Sequence, residues 1–146
     1  MNTLLNSPPR FFLAVLILCL SASLSCTKQP LSEAEEKEAL KERVEALWDA
    51  IIAVDFDKVY EFTTPAYRKA YTKAHFFARY AAQVKRESIT ITDIAFQNPE
   101  RSTAKVTFNL AFSTRGFTAQ EIIRNSTSVY ETWIKEDSEW WRVEQP

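Results

Sequence analysis

The sequence contains very little glycine and histidine: Gly116 and His75 are the only ones in 146 residues. Phosphate-binding loops and dinucleotide fingerprints need several glycines where the backbone approaches a phosphate, so both motifs are excluded. The two cysteines, Cys19 and Cys26, are too few to build a structural zinc site with a single histidine. We therefore expect no cofactor and no metal.

An excess of charge of one sign is also missing. The net charge is -1 at pH 7, so we expect no nucleic-acid partner. Hydrophobic residues make up 46% and aromatic residues 13% of the chain, which is enough for one packed core and too much for a disordered chain. These values predict one domain with an extension.

A hydrophobic run long enough to span a membrane is missing as well. The longest apolar stretch, Phe11 to Leu20, has ten residues, whereas a spanning helix needs ~20. Arg10 precedes the stretch and the small residues of 21–25 follow it, which is the order of an export signal peptide over residues 1–25. Cys19 is then lost with the signal, and Cys26 remains.

The letters "SLSC" at residues 23–26 resemble the cleavage box of bacterial lipoproteins, whose cysteine becomes the lipidated N-terminus. The resemblance implies a cell-envelope lipoprotein, with the membrane as a partner through Cys26 and residues 26–32 as a short tether. Thr27 in place of aspartate favours the outer membrane, facing the periplasm, over the inner one. Ser23 and Ser25 also fit ordinary secretion, so a secreted or periplasmic chain and an uncleaved anchor remain alternatives.

Residues 33–86 show helical patterns. Ser32 and Glu35 have the spacing of a capping box, and an apolar stripe that ends at Val54 predicts a helix from about 33 to 53. Asp55 and Thr64 are predicted caps of two short helices. A further helix is predicted over 73–85, with its core stripe formed by Phe77, Tyr80, Ala81 and Val84.

Beyond residue 87 the apolar period changes to two, which predicts four strands. A break in the alternation between Ile91 and Ile94 predicts a bulge near Asp93. Since no helix separates the strands, we predict an α+β fold with N-terminal helices packed on one face of a curved antiparallel sheet.

The segments "LWDAIIAVDFDKVYEFTTPAYR" and "WIKEDSEWWRV" are similar to parts of the nuclear transport factor two-like superfamily, a cone-shaped α+β fold. The resemblance covers residues 33–146. That superfamily includes ketosteroid isomerase and polyketide cyclases beside many non-catalytic binding modules, so membership does not decide between them. Candidate ligand-facing residues in such a cone are the following aromatics: Trp48, Tyr60, Tyr67, Tyr71, Tyr80 and Phe108.

Few residues in the sequence are suited to catalysis or metal binding. His75 is predicted on the polar side of its helix, which argues against nucleophile activation, and Asp55 and Asp57 are better explained as helix-capping acids than as metal ligands. Asp93 shares the parity of the inward isoleucines, so without a bulge it would be a buried base that acts with Tyr67 or Tyr71. With the bulge, it faces solvent.

Two surfaces suggest partners. Residues 62–86 contain no acid and six basic residues, which suggest contact with an anionic surface or an ordinary solvated face: Arg68, Lys69, Lys73, Arg79, Lys85 and Arg86. If Glu136 pairs with Glu139, Trp133 and Trp140 share a face, predicted to be the outer sheet face and an interface for a homodimer or protein partner. A slip of one residue in this hairpin would exchange its two faces. We expect a non-catalytic binding or assembly module, with an isomerase-like enzyme and electrostatic adhesion as alternatives.

Overall fold

The computed structural model describes residues 31–80, 84–116 and 121–144, except for the side chains of Arg79 and Tyr80. The predicted signal peptide and Cys26 lie outside the described residues. Within the described ranges, four helices precede four strands. They are α1 (Glu33–Ile52), α2 (Phe56–Glu61), α3 (Pro65–Ala70), α4 (Lys73–Tyr80), β1 (Lys85–Phe96), β2 (Thr103–Arg115), β3 (Ile122–Glu136) and β4 (Glu139–Arg142).

The strands form one antiparallel sheet in the order β1-β2-β3-β4. The predicted α+β class and the meander of neighbouring strands are therefore confirmed. In this part of the chain, no helix has both the length and the apolar character needed to cross a bilayer.

The first helix begins where the sequence predicts. Ser32 Oγ accepts a hydrogen bond from the Glu35 amide at 3.3 Å, and the Ser32 amide donates to Glu35 Oε2 at 2.8 Å, which completes the capping box. The helix ends earlier than its apolar stripe, at Ile52. Val54 adopts the left-handed conformation with φ 62° and is 65% exposed, so it belongs to the turn and not to the core.

The last helix is shorter than predicted. β1 already begins at Lys85, so α4 does not reach that residue. Phe76 is fully buried and Phe77 only half-buried, which shifts the core stripe by one position. Phe76 packs edge-on against Tyr60 with ring centroids 5.4 Å apart.

The inward face of the sheet is apolar on β2, where Ala104, Val106 and Phe108 are fully buried as the alternation predicts. Glu136 pairs with Glu139, which is the register on which the predicted faces of the hairpin depended. The predicted faces of this hairpin are wrong, because Trp133 is 0% and Trp140 4% exposed. Both indoles therefore lie in the core, and they form no outer partner surface.

An ion pair and a backbone bridge connect the helical part of the chain to the sheet. Lys135 Nζ on β3 lies 2.6 Å from Glu36 Oε1 on α1, and the two side chains are 21% and 9% exposed. The Arg142 amide donates to Phe62 O at 2.8 Å, beside a parallel bridge between Thr63 and Arg142. The segment after α2 thus covers the outer edge of β4 and fixes the end of this strand.

Candidate functional site

Three charged side chains lie at the end of β4 and in the middle of β3: Glu131, Arg142 and Glu144. Trp133 faces the core, and Glu131 shares its face because side chains alternate along a strand. Arg142 is the register partner of Trp133 and is buried. The packing of this tryptophan therefore brings a carboxyl group and a guanidinium group inside.

The three charged groups are joined by hydrogen bonds. Arg142 Nη1 donates to Glu131 Oε1 at 3.2 Å, and Arg142 Nε donates to Glu144 Oε1 at 2.7 Å. The second oxygen of Glu131, Oε2, accepts from Trp133 Nε1 at 3.2 Å. The side chains of Glu131, Arg142 and Glu144 are 12%, 9% and 11% exposed, so this trio is largely shielded from water.

The trio lines a cleft of about 380 Å³ between α1 and the end of the sheet, which we call the Glu131 cleft. Its volume is within the usual range for small-ligand pockets. Trp48 and Ile51 of α1 form an apolar wall, and Arg86 of β1 lies at another side. The remaining lining residues come from β3 and from the end of the chain: Val129, Tyr130, Glu131, Thr132, Arg142, Val143 and Glu144.

The pKa of Glu131 is strongly perturbed. Burial raises the pKa of Glu131 from 4.5 to about 7 and the negative charge of Glu144 adds to the increase, while hydrogen bonding by Trp133 and Trp48 acts in the opposite direction. Trp48 Nε1 is buried without a hydrogen bond of normal geometry, so we regard its contact with the carboxyl group as a weak one. The environment of the cleft therefore favours the protonated form of this carboxyl group more than water does.

The predicted ligand-facing aromatic residues do not all line one cleft in the structure. Trp48 lines the Glu131 cleft. Tyr60, Tyr67 and Phe108 are buried in the core, where Phe108 meets the Trp48 ring edge-on at 5.0 Å. Tyr71 is half-buried and its carbonyl oxygen accepts a hydrogen bond from Tyr60 Oη at 2.7 Å. The side chain of Tyr80 lies outside the described residues.

The alternative catalytic residue is not buried. β1 has the predicted register shift between Ile91 and Asp93, and Thr92 and Asp93 are both exposed. The inward placement of Asp93 is therefore wrong, because the bulge turns it to solvent. Its proposed helpers lie in the helical part of the chain, where the rings of Tyr67 and Tyr71 are 4.7 Å apart.

The other candidate groups have structural roles. His75 is exposed and stacks on Tyr71 at 4.9 Å. Asp55 accepts a hydrogen bond from the Lys58 amide at 3.1 Å as the cap of α2, and Asp57 accepts one from Lys73 Nζ at 2.5 Å. No group of three or more possible metal ligands occurs within the described ranges.

The basic residues of 62–86 do not have a common environment. Arg68 donates to Glu61 O at 3.0 Å and lies 4.8 Å from the centre of the Trp141 ring. Lys69 and Lys85 are exposed, whereas Arg86 is half-buried and lines the Glu131 cleft. Lys73 pairs with Asp57, and the side chain of Arg79 is not described.

A second cleft of about 420 Å³ lies between α1 and the first part of β1. It is lined by Glu45, Asp49, Ile52, Glu87, Ser88 and Ile89. Arg124 approaches Glu87 to 3.6 Å there. This cleft has less apolar lining than the Glu131 cleft, which makes it the weaker candidate for a small ligand.

The sequence patterns did not reveal Glu131, Arg142 or Glu144. One signal was present: these charged residues have the same parity as Trp133 and Trp140 in the paired strands. A face that combines two indoles with alternating charges is typical of a partly buried polar site, and the apolar periodicity alone does not detect it.

Comparison with known proteins shows the fold and nothing finer. No known family and no curated protein matches the chain by sequence. The association domain of C. elegans CaMKII is 17% identical with a TM-score of 0.50, and the match covers 75% of this chain and 92% of that chain. An NTF2-like protein from Cytophaga hutchinsonii is 15% identical with a TM-score of 0.50, over 77% of this chain and 93% of that chain. The chain therefore has an NTF2-like α+β fold.

Proposed function

We propose that this chain is a non-catalytic binding module whose ligand occupies the Glu131 cleft. The observation that carries the proposal is the burial of Glu131, Arg142 and Glu144 along the wall of a cleft of about 380 Å³. Buried ionic groups lose much of their hydration free energy, and apolar residues of similar volume often give equal or greater stability. Their presence beside a cleft is better explained by recognition of a ligand than by stabilisation of the fold.

The apolar wall supports the same proposal. Trp48 is 6% and Ile51 3% exposed, and both face the cleft from α1. A few polar groups that converge in a mostly apolar concave surface are the usual composition of a small-molecule site. The hydrogen bonds of Arg142 and Trp133 fix the orientation of the Glu131 carboxyl group before a ligand arrives, which lowers the entropy lost on binding.

Proton transfer by Glu131 is a second candidate function. A carboxyl group with a pKa of about 7 is suited to act as a general base at neutral pH. Both of its oxygens, however, already accept hydrogen bonds from the protein. Each oxygen keeps a second lone pair, but the hydrogen bonds to the carboxylate reduce its basicity, so the arrangement favours binding over catalysis.

The proposed location is the cell envelope, with the domain tethered to a membrane through a lipid on Cys26. This part of the proposal is based on the cleavage-box resemblance of residues 23–26 and on the short apolar run before it. Lipid attachment gives an exported domain with one remaining cysteine a role for that thiol.

Adhesion of residues 62–86 to an anionic surface is the weaker proposal, since Arg68 and Lys73 already have partners within the chain. Exposed Lys69 and Lys85 would supply most of the attraction. Binding to vesicles with anionic headgroups should then fall steeply as salt is added, because screening weakens exposed charges. Salt-independent binding would exclude this mode of adhesion.

The binding proposal is tested with a pair of phenylalanine variants. Val129 is half-buried and lines the Glu131 cleft, so Val129→Phe places a ring in it. Thr127 shares the inward face but is exposed and does not line the cleft, so Thr127→Phe is the matched control. Native mass spectrometry is carried out with a panel of small organic cations, anions and neutral heterocycles.

We expect at least one class in the panel to form a one-to-one complex with the natural chain and with Thr127→Phe, but not with Val129→Phe. Absence of any complex, or equal binding by both variants, would contradict the proposal. Turnover of a bound compound that disappears in Glu131→Gln would instead establish the enzymatic candidate.

A further inference from the structure

The long strand β3 has an edge that β4 covers only in part. β4 pairs with β3 at residues 133–136, and the Val143 amide adds one hydrogen bond to Thr132 O at 2.9 Å. Within the described residues, 122–130 of β3 pair with β2 and with no other strand. In the described part of the chain, the backbone donors and acceptors on the outer side of this nine-residue stretch are therefore available for a further strand.

The direction of these backbone groups follows from the pairing that is present. Thr132 O points towards the β4 side, and the direction alternates along an antiparallel strand. The even-numbered residues of this stretch therefore present their N–H and C=O groups at the free edge: Ile122, Arg124, Ser126, Ser128 and Tyr130.

The edge has few of the features that normally prevent strand addition. Residues 122–130 contain no proline and no lysine, and Arg124 is their only charged residue. Arg124 lies 3.6 Å from Glu87 of its own chain, which offsets its charge. Ile122 is 61% and Tyr130 63% exposed, so the edge combines free backbone groups with apolar side chains.

We propose that this edge binds the same edge of a second copy of the chain, with the two β3 strands antiparallel and Ser126 at the two-fold axis. In this register Ile122 lies opposite Tyr130 of the second copy, and Ile123 opposite Val129 of the second copy. The even-numbered residues face one another, as a hydrogen-bonded ladder requires. The two sheets then join into one continuous sheet.

The side chains select this register over its neighbours. The exposed isoleucines meet an aromatic and a β-branched residue, the cross-strand pairs that stabilise sheets best. Arg124 lies opposite Ser128, and the two arginines of the pair are four residues, or about 13 Å, apart along the strands. A shift of this register by two residues in either direction keeps the hydrogen-bonded ladder between the two β3 strands. Ile122 is then no longer opposite Tyr130, and Ile123 is no longer opposite Val129.

The pairing also completes the Glu131 cleft. Val129 and Tyr130 line the cleft beside the free edge. In the proposed register, Ile123 and Ile122 of the second copy come against these two residues and add an apolar side wall. The proposal stands on the strand edge alone, so it can hold whether or not the cleft binds a ligand.

Cysteine cross-linking tests the register directly. In the full chain in detergent solution, with Cys19 and Cys26 replaced by serine, Ser126→Cys places two thiols at the two-fold axis, where paired Cα atoms ~5.5 Å apart allow a disulfide. Ser128→Cys is the control, because its two copies lie about 13 Å apart. We expect an oxidised dimer with Ser126→Cys and a monomer with Ser128→Cys. Equal cross-linking of the two variants, or none, would overturn the proposal.

A proline variant tests the role of the edge backbone. Ser126→Pro removes an amide hydrogen that points to the free edge and leaves the pairing with β2 intact. Ser126→Thr, which keeps this hydrogen, is the matched control. We expect native mass spectrometry to show dimers for the natural chain and Ser126→Thr, and monomers for Ser126→Pro with an unchanged circular dichroism spectrum. A natural chain that is monomeric, or a folded Ser126→Pro that remains dimeric, would contradict the pairing; should the proline variant unfold, the cross-linking result decides.

Discussion

Arg142 Nη1 donates a hydrogen bond to Glu131 Oε1 at 3.2 Å and so joins the end of β4 to the middle of β3 at the wall of the Glu131 cleft. The same guanidinium group binds Glu144 through Nε at 2.7 Å. One cation thus holds two carboxyl groups that would otherwise repel each other in a poorly hydrated site. The shape and the charge of the cleft both depend on this arginine.

The first prediction concerns pH. The folded pKa of Glu131 is about 7 against an ordinary 4.5, so the folded chain binds more protons than the unfolded chain between these values. The contribution of Glu131 to stability is therefore complete below about pH 4.5 and is lost as the pH rises through about 7. We expect a decrease of up to about 3 kcal/mol in the free energy of unfolding over this range.

Urea denaturation at a series of pH values measures this effect. The glutamine in Glu131→Gln cannot ionise. The free energy of unfolding of this variant should therefore fall much less than that of the natural chain over the same pH range. Glu38→Gln is the control, since Glu38 is exposed and pairs only at the surface with Lys41. A profile for Glu131→Gln that matches that of the natural chain would show that Glu131 titrates normally.

The second prediction concerns the ion pair between α1 and β3. Lys135→Met leaves the Glu36 carboxylate, 9% exposed, without its cation, so we expect the free energy of unfolding to fall by about 2–3 kcal/mol. Lys41→Met removes an exposed partner of Glu38 and should cost less than about 1 kcal/mol. If urea titrations showed equal losses of free energy of unfolding for the two variants, the buried pair would contribute no more to stability than the exposed pair.

The third prediction concerns backbone strain at the end of α1. Val54 is a β-branched residue with φ 62°, where only glycine is free of strain. Because its side chain is 65% exposed, little packing is lost when it is removed. Val54→Gly should therefore raise the free energy of unfolding by about 1 kcal/mol.

The neighbouring residue supplies the control. Ala53 has φ -72°, so Ala53→Gly gains no relief and adds flexibility to the unfolded chain. We expect this variant to be less stable than the natural chain. The account of strain would be wrong if thermal unfolding showed that both glycine variants were destabilised to the same extent.

The sequence predicts the local features of this fold, such as helix caps and bulges, better than it predicts which side of a strand faces the core. The capping box of Ser32 and Glu35 and the bulge at Asp93 both follow from short-range patterns, and the structure contains both of them. These features depend on a few adjacent residues, so they can be predicted without knowledge of the tertiary structure.

The faces of the β3–β4 hairpin could not be decided in this way. One face carries Ile134, Trp141 and Val143, and the other carries Val129, Trp133 and Trp140. Both sets are apolar, so periodicity gives no preference. The register with β2 decides the matter, because it places Trp133 beside the small Ala104 and Val129 beside Phe108.

The site around Glu131 could not be predicted from apolar periodicity either. The inward face includes Glu131 and Arg142, which a rule based on apolar residues assigns to solvent. Their burial becomes favourable only when Arg142, Glu144 and Trp133 supply hydrogen bonds, and these partners meet only after the strands have paired. Disagreement between local pattern and tertiary structure is common at functional sites.

The fourth prediction concerns membrane attachment. If Cys26 carries lipid, Cys26→Ser expressed in a bacterium with a lipoprotein pathway should move the protein from the membrane fraction to the soluble fraction. Cys19→Ser is the matched control and should leave the fractionation unchanged, because lipoprotein processing would remove that residue with the signal peptide. A mature protein that has an unmodified Cys26 thiol by mass spectrometry would refute lipidation.

The most direct test of the binding proposal is a crystal structure of the chain with whichever compound of the small-molecule panel binds most tightly. Our account predicts that the compound lies in the Glu131 cleft, against Trp48, with a polar atom within hydrogen-bond distance of the Glu131, Arg142 or Glu144 side chain. A compound found instead in the cleft lined by Glu45, Asp49 and Glu87, or on the outer face of the sheet, would contradict it.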